Sequence, residues 1–411
     1  MRQEDPLAVY IGIDWSEKKH DVVCMNEKGA VITQFQIAHS ADGFVQLDNK
    51  LRKLGVTLDN ILIGLETAHN LLIDFLWDKG YSQVYVIPPN MTRSCQGRYR
   101  QSGARNDASD ARLIADLLRT DRHRLYPWHP DSCLTLELRA KVHWFMSLSR
   151  SKRRLVSQLR AILLRYYPAA LQVFGELDSQ ITLEFIQTYP TPQAATQLTL
   201  AEFKNFVRQH RFPIGKIPGC FERLQAKQPE AARHTVLAYQ QQAVQLATLL
   251  LQTVRTLAAV QRELTCLFEQ HPDQSIFASL PGAGDLLAPG LLVKFGDDRR
   301  RFPQANALQA LAGTCPVTDQ SGQRRRIYFR QACDHEFRHI TQQWAKSSIA
   351  QSDWASTYFS QALKRGFSTN HAYRCLANRW LAIAWKLWQE GKPYDETYHL
   401  QQRAARCRPL H

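Results

Sequence analysis

The chain has 411 residues, of which 52 are Lys or Arg and 37 are Asp or Glu, giving a formal net charge of +15. This excess of positive charge favours a polyanionic partner, most commonly nucleic acid, although an anionic membrane surface meets the same criterion. Charged residues make up 22% and hydrophobic residues 44% of the chain, a balance that excludes bulk disorder.

The cysteines and the apolar segments indicate the cellular compartment of the protein. The nine cysteines are scattered singly, and no pair has the spacing of a zinc site. This pattern favours free thiols in a reducing cytoplasm. The first residues lack the apolar segment of a signal peptide, and we find no run of about 18 apolar residues. We therefore expect a cytoplasmic protein without a membrane span.

The N-terminal part alternates between apolar segments typical of strands and of helices. The segments 9–14, 19–26 and 30–38 predict three strands joined by short turns. A helix to Leu54, a strand at 61–66, a helix ending at Gly80, a strand at 83–90 and a helix over 107–119 follow. This order indicates an α/β RNase H-like (RuvC-like) domain, which we assign to residues 1–130.

Residues 131–272 predict a helical region. A helix over 136–167 carries a cluster of Lys and Arg, and a longer helix runs from about Ala231 to Glu269. Apolar residues of the longer helix alternate by three and four from Ala243 to Leu267, which is the heptad seam of a coiled coil. Such a seam suits pairing between subunits. The same spacing also fits a buried helix of an ordinary bundle, because the first helix offers a companion within the chain.

A third region, 273–390, contains Gly and Pro turns between helices. LPGAG at 280–284 predicts either the turn of a helix-hairpin-helix, whose backbone amides hold a DNA phosphate, or a plain glycine turn. We expect Pro289–Gly290 to interrupt the helix that follows. Residues 391–411 predict a polar, basic tail.

Ser321 lies with Gly322 in a predicted loop that follows Pro316. Arg324, Arg325 and Arg326 come directly afterwards. A serine beside three guanidiniums suits attack on a phosphate, with the positive charges stabilising the transition state. A solvated serine in a turn has the same local sequence, so this segment alone leaves both interpretations open.

Four acidic residues mark the ends of the N-terminal elements. Asp14 ends the first strand, Glu66 ends the fourth, and Asp107 and Asp110 begin the last helix. Mg²⁺ prefers carboxylate oxygens, and two such ions stabilise the attacking and leaving oxygens of phosphoryl transfer. Asp107 and Asp110 alone fit a helix N-terminus equally well, so the predicted metal site depends on the set of four.

Each strand acid follows a glycine by two positions. Gly12 precedes Asp14, and Gly64 precedes Glu66. Because side chains alternate along a strand, each acid shares a sheet face with a glycine. We expect the glycines to leave room for an ion and a phosphate backbone.

Several motifs occur in one order: GIDWSEKKHDV, GLET, D-x-x-D-A, LPGAG, Arg301–Phe302 and LAGTCPVTDQSG. Together they resemble the IS110 family of insertion-sequence transposases, the bridge-RNA-guided DEDD/serine recombinases. The resemblance implies that Asp14, Glu66, Asp107 and Asp110 are RuvC-like Mg²⁺ ligands. It also implies that Ser321 is the nucleophile, forming a 5′-phosphoserine link to DNA, and that 273–390 is a mostly α transposase domain.

The resemblance implies donor and target DNA, a structured guide RNA and a homo-oligomer, dimer to tetramer, as partners in a bacterial cytoplasm at the nucleoid. We assign nucleic-acid contacts to basic residues near the acids, on the basic helix and after the serine: Arg93, Arg98, Arg100, Arg105, Lys152, Arg153, Arg154, Arg324, Arg325 and Arg326. The alternative function is a metal-dependent RuvC-like nuclease of the junction-resolvase type, which needs the acids but no serine. A non-catalytic nucleic-acid scaffold needs neither.

Overall fold

The computed structural model describes residues 8–67, 71–96, 107–322 and 324–406, with the side chains of Asn90, Asp107, Ala108 and residues 403–406 excepted. The chain divides into two compact units, residues 1–130 and 131–411.

The first unit is a mixed α/β domain built on a five-stranded sheet. Its elements are β1 (Val9–Trp15), β2 (Lys19–Met25), β3 (Val31–Ala38), α1 (Ala41–Arg52), β4 (Ile61–Leu65), α2 (Leu71–Asp78), β5 (Val84–Val86), α3 (Pro89–Cys95) and α4 (Asp107–Asp121). The strand order is β3-β2-β1-β4-β5. The first three strands pair antiparallel, and β4 and β5 run parallel to β1.

The predicted order of elements is confirmed, with one difference at the last strand. We expected a strand over 83–90, whereas β5 ends at Val86. Pro89 instead begins α3. A proline suits the first turn of a helix, because the backbone N–H that it lacks has no helical partner there.

The two faces of the sheet pack against different helices. Ile11 and Ile63 belong to a core that contains the apolar side chains of α1 and α2. On the other face, Leu62 packs with Leu113 and Ile114 of α4. The central strands are therefore buried on both sides, which explains their continuous apolar sequences.

Two glycines determine how closely α4 approaches the sheet. A Cβ atom on Gly12 would lie 2.0 Å from the backbone oxygen of Ala111 and 2.4 Å from the nitrogen of Ala115. A Cβ on Gly64 would lie 2.9 Å from a methyl carbon of Ile114. Since α4 fills the space beside both glycines, the expectation that they leave room for an ion and a phosphate is wrong. They admit a helix instead.

We expect Gly12→Ala to destabilise the first unit by about 3 kcal/mol or more, because a backbone atom cannot move aside as a flexible side chain does. Gly215→Ala is the matched control, since a Cβ added to Gly215 would have no heavy atom within 4 Å. Thermal unfolding followed by circular dichroism compares the two variants. An unchanged melting temperature for Gly12→Ala would contradict the close packing of α4.

Over its described residues, the second unit is helical apart from one hairpin. Its elements are α5 (Cys133–Tyr166), α6 (Gln180–Thr188), α7 (Pro192–Thr196), α8 (Leu200–Gln209), α9 (Ile217–Gln225), α10 (Arg233–Glu269), α11 (Gln274–Ala278), α12 (Gly284–Phe295), α13 (Ala305–Leu311), β6 (Val317–Ser321), β7 (Arg324–Tyr328), α14 (His335–Ser348), α15 (Asp353–Lys364), α16 (Thr369–Glu390) and α17 (Glu396–Arg406).

Two long helices, α5 and α10, pack together and contribute to both hydrophobic cores of this unit. One core joins Leu159 and Leu163 of α5 to the first half of α10 and to α6, α8 and α9. The other joins the first half of α5 and the second half of α10 to the helices from α11 to α16. Four buried tryptophans, Trp344, Trp354, Trp380 and Trp388, belong to this second core.

The side chains at the heptad positions of α10 pack against other helices of the same chain. Ala243 and Leu250 lie in the first core, and Leu257, Val260 and Leu264 lie in the second. Because these side chains are already buried, the hypothesis that the seam pairs between subunits is wrong, and the alternative of a bundle helix describes the structure.

In the part of the chain that the structure describes, α10 is also the one helix long and apolar enough to cross a membrane. Core helices pass the same test.

The Arg-Phe motif has a structural role in this unit. Arg301 donates from two nitrogens to the buried carboxylate of Asp131, at 3.1 and 3.0 Å. Asp131 also accepts from Arg139 of α5. Phe302 packs in the second core. The motif thus ties the start of α5 to the segment before α13.

The C-terminal segment differs from the predicted polar tail. Residues 391–411 contain α17, and its first residue, Glu396, accepts hydrogen bonds from the Ser352 hydroxyl at 2.9 Å and from the Trp354 backbone N–H at 3.1 Å. The hydroxyl of Tyr394 donates to the same carboxylate at 2.6 Å. These contacts fix the start of α17, and the composition of the segment gives no sign of them.

Candidate active site

Three of the four predicted acids meet in one pocket of the first unit. Asp14, Glu66 and Asp110 line a cavity of about 120 Å³. Asp14 lies near the end of β1 and Glu66 directly follows β4, two parallel neighbours in which Gly12 pairs with Gly64. Their carboxyl ends therefore reach the same edge of the sheet. Asp110 precedes Ala111, the residue whose backbone contacts Gly12, so the close packing of α4 brings this acid to the same edge.

The fourth acid, Asp107, begins α4. Its side chain lies outside the described residues, as do Arg98, Arg100 and Arg105. The predicted roles of these four side chains stay predictions.

Helix α3 supplies the remaining polar wall of the pocket. The Thr92 hydroxyl lies 2.8 Å from Oε1 of Glu66 and donates to it. Arg93 and Gln96 also line the cavity. Arg93 was predicted to bind nucleic acid, whereas Thr92 and Gln96 were not predicted as site residues. Their position depends on Pro89, which begins α3 directly after β5.

Another acid lies on the same sheet face as Asp14 and was missed as well. Asp21 of β2 is paired with Asp14 in the antiparallel register, so both side chains point to the α4 face. Asp21 is buried and accepts a hydrogen bond from Gln36 at 2.9 Å. The only sequence signal was its place in the alternating segment KHDVV.

The opposite face at this edge carries an aromatic cluster. Trp15, 40% exposed, stacks on the ring of His20. His20 is buried, and its Nε2 lies 2.9 Å from Nδ1 of His39. Burial, together with His39, lowers the pKa of His20 to about 4. His20 is therefore neutral at physiological pH and adds no positive charge beside the acids.

The donor set of the pocket fits a hard divalent cation by its chemistry. Carboxylates from a strand end, a strand–helix connection and a helix supply oxygen ligands without thiols or imidazoles. Among the side chains that the structure describes, no three His, Cys, Asp or Glu groups already stand together as a complete metal site. The side chain of Asp107, which begins the helix that carries Asp110, is not among these described side chains.

Ser321 lies at the tip of a β-hairpin, and the predicted loop is wrong at this position. Ser321 pairs with Arg324, Gln320 with Arg325, and Asp319 with Arg326. Directly paired residues share a face and neighbours alternate, so Arg324 and Arg326 lie on the face of Ser321 and Arg325 on the other. Every residue of both strands is exposed. The hydroxyl is thus accessible to a large substrate.

The connection that leads into this hairpin is held firmly. Gly313 has φ +63°, and a Cβ there would lie 2.5 Å from the Arg338 guanidinium. The Thr314 hydroxyl donates to Oδ1 of Asn378 on α16 at 2.9 Å. Gln309 donates to the Asn378 backbone oxygen at 2.8 Å. The LAGT part of the motif is therefore a fixed base, and only the part after it projects.

The LPGAG turn packs against other residues of the same unit. The Gly282 backbone N–H donates to the side-chain oxygen of Gln351 at 2.8 Å, and a Cβ at Gly282 would lie 2.5 Å from the Ser348 backbone nitrogen. These contacts favour the plain turn over a phosphate site. Pro289 lies inside α12, which continues to Phe295, so the expected interruption is also wrong.

The basic residues of α5 differ in their availability. Lys152 is paired with Asp178 at 2.8 Å, and this hydrogen bond lowers the pKa of Asp178. Arg153 and Arg154 are exposed. Burial lowers the pKa of His339 on α14, and Arg153 adds to the effect, which places this guanidinium near α14. Arg153 and Arg154 remain candidates for nucleic-acid contact, whereas Lys152 already has a partner.

Two family profiles match the chain. A profile described as "Transposase", for the DEDD type of IS110 elements, matches residues 11–168, which include all four acids. A second, described as "Transposase IS116/IS110/IS902 family", matches residues 274–360, which include the Ser321 hairpin. The DEDD type suggests a divalent metal.

Curated relatives extend over nearly the whole chain. The putative transposase of the IS117 mini-circle of Streptomyces coelicolor is 29% identical over 404 residues, covering 96% of this chain and 97% of its own. An uncharacterized protein of insertion element IS110 from the same organism is 25% identical over 406 residues, with coverages of 96% and 97%. The putative transposase y4uE of Sinorhizobium fredii is 27% identical over 218 residues, covering 53% of this chain and 60% of its own. With both profiles matched in order, the chain belongs to the IS110 family of insertion-sequence transposases.

Proposed function

We propose that this transposase cuts and rejoins DNA strands through a covalent link to Ser321, with a Mg²⁺-dependent site formed by Asp14, Glu66, Asp107 and Asp110. The observation that carries the proposal is the meeting of acids from β1, the β4 end and α4 in one pocket of about 120 Å³. Carboxylates from three separate elements that share one pocket supply the oxygen ligands that a divalent cation prefers.

The arrangement of the sheet supports an RNase H-like, RuvC-like domain in residues 1–130. Three antiparallel strands are followed by two strands parallel to β1, in the order β3-β2-β1-β4-β5. The acids lie near the end of β1, directly after β4 and at the start of α4, as such a domain requires. We retain 131–272 as a helical region and 273–390 as the transposase domain in this proposal.

The four acids would hold the metal, and the chain's own residues prepare the site for it. Mg²⁺, when bound, supplies positive charge to the attacking and leaving oxygens of a phosphate. Thr92 orients Glu66 by its hydrogen bond. Arg93 brings a guanidinium to the same pocket, where it suits a phosphate oxygen of the substrate.

Ser321 acts as the nucleophile in this proposal. Its Oγ attacks the phosphorus, an Oγ–P bond forms as the P–O3′ bond breaks, and the 5′ phosphate stays on the serine. The proton that the hydroxyl loses is balanced by the proton that the leaving 3′ oxygen gains. Arg324 and Arg326, on the same hairpin face, stabilise the charge that develops on the phosphate. Rejoining is the reverse step with a new 3′-hydroxyl.

A structured guide RNA, donor and target DNA and a dimer-to-tetramer assembly complete the proposal, in the bacterial cytoplasm. The net charge of +15 and the exposed arginines of α5 support binding of nucleic acid. Because the α10 seam is buried within the chain, an oligomer requires a different surface.

A covalent-adduct assay tests the function. Purified protein, RNA transcribed from beside its gene, Mg²⁺ and end-labelled DNA of the element should give a protein–DNA adduct that survives detergent and disappears with protease. Excess chelator should prevent it. Cleavage without any adduct would favour the alternative, a metal-dependent nuclease, for which the carboxylate pocket alone suffices.

A further inference from the structure

The base of the Ser321 hairpin carries a pair of arginines on one aromatic ring. Phe329 directly follows β7. The guanidinium carbons of Arg338 on α14 and Arg374 on α16 each lie 4.4 Å from the centroid of its ring. They are therefore at most twice that distance apart. Cation–π contacts of this kind hold a charged side chain in place without neutralising it.

Both arginines belong to the fixed part of the hairpin base. Arg338 donates to the backbone oxygen of Arg330 and packs against Gly313. Arg374 lies one helical turn before Asn378, which accepts the hydrogen bond from Thr314. The two guanidiniums are thus oriented before any ligand arrives, which reduces the entropy lost on binding.

Among the described residues, no carboxylate forms an ion pair with either guanidinium. The Nε atoms of Arg338 and Arg374 are buried and have no hydrogen-bond partner among the described residues. Asp334 also lies in this region, but it pairs with Lys294 at 2.8 Å.

A third arginine lies at the same base. Nε of Arg330 donates to the Cys315 backbone oxygen at 3.4 Å, and the backbone oxygen of Arg330 accepts a hydrogen bond from Arg338. Burial raises the pKa of the nearby Cys333 thiol, and the charge of Arg338 opposes that increase. Three guanidiniums therefore lie at the hairpin base, a concentration of positive charge that suits an anion.

We propose that Arg338 and Arg374 form a binding site for a backbone phosphate of the DNA on which Ser321 acts. This inference rests on the proposed function for the identity of the ligand. Nη2 of Arg338 already donates to the Arg330 oxygen, so Arg338 offers Nη1 to a phosphate oxygen, and Arg374 offers its two terminal nitrogens.

The position of the site predicts which phosphate it binds. Phe329 is five residues beyond Arg324, the partner of Ser321 at the hairpin tip. An extended strand spans about 3.3 Å per residue, so the base lies about 16 Å from the tip. That length corresponds to roughly five base pairs along a duplex axis. We infer that the arginines bind a phosphate a few base pairs from the cleaved one.

Salt-dependent binding of the full-length protein to duplex DNA of the element's end tests the site. We expect Arg374→Gln to weaken binding about tenfold and to reduce the slope of log Kd against log salt by about one, because one phosphate contact is lost. Arg374→Lys should keep the slope. Arg365→Gln is the matched control, since Arg365 is an exposed arginine after α15 and should leave both quantities unchanged.

A slope for Arg374→Gln equal to that of Arg365→Gln would overturn the proposal. The same titration with the RNA transcript is a second arm, and a slope change seen with RNA alone would overturn the assignment to DNA. If Arg374→Gln does not fold, phosphate ethylation interference on the wild-type complex decides. Interference should appear a few base pairs from the cleavage position, and its absence there rejects the site. If the wild-type protein binds DNA but never forms an adduct, the proposed function is wrong. The salt slopes can still be measured in that case, so the phosphate site is tested separately.

Discussion

Ser321→Ala is expected to abolish the covalent protein–DNA adduct and to lower strand exchange by roughly 10⁴-fold or more, as removal of a nucleophile does in other enzymes. The hydroxyl is the only group at the hairpin tip that the variant removes. Ser321 is exposed, so the melting temperature and the affinity for DNA should stay at their wild-type values. Adduct formation on end-labelled DNA, measured beside affinity, separates chemistry from binding.

Gln320→Ala is the matched control for this experiment. Gln320 neighbours Ser321 but pairs with Arg325, so its side chain lies on the opposite face of the hairpin. The control should form the adduct at the wild-type rate. If the Ser321→Ala variant still forms the adduct, the nucleophile is a residue other than Ser321.

The hairpin illustrates what the sequence does not reveal. The strands of the first unit could be predicted because apolar residues alternate or run together in a buried sheet. The strands on either side of Gly322 are mostly polar and exposed along their whole length, and in the described part of the chain they pair with each other alone. Without a buried face there is no periodic signal, and the local sequence predicts a loop. The division of the three arginines between two faces was therefore unpredictable.

The carboxylate pocket was predictable in part. The positions of Asp14 and Glu66 at the ends of neighbouring strands follow from the order of elements. The sequence also places Gly12 and Gly64 on the faces of these acids, but it does not say what approaches them. The structure shows that α4 does, and that contact positions Asp110.

Long-range contacts account for the remaining differences. The period of α10 fits an intramolecular bundle and a coiled coil equally, and only the burial against α5 and its neighbours decides between them. Phe329, Arg338 and Arg374 are separated in the chain, so no local pattern unites them. Tertiary packing alone brings the two guanidiniums onto one ring.

Asp14→Asn is expected to reduce DNA cleavage by about a thousandfold or more, since the proposed metal site loses a charged ligand at the position where charge develops in the transition state. Asn has nearly the same size as Asp, and Asp14 is only half-buried, so the sheet should fold normally. The expected loss is therefore specific to catalysis. Affinity for the DNA and RNA should change little, because the basic residues that we propose to bind them are intact.

Asp59→Asn is the control for this substitution, because it removes the same charge from an exposed residue of the first unit that does not line the pocket. Its cleavage rate should match that of the wild-type protein. Calorimetric titration with Mg²⁺ or Mn²⁺ gives a second readout that does not depend on activity: wild-type and Asp59→Asn proteins should bind the ion, and Asp14→Asn should bind it at least about tenfold more weakly. Full cleavage by Asp14→Asn, or equal metal affinity in all three proteins, would show that Asp14 is not a metal ligand. The pocket would then offer only Glu66 and Asp110, of the three acids that line it, as ligands.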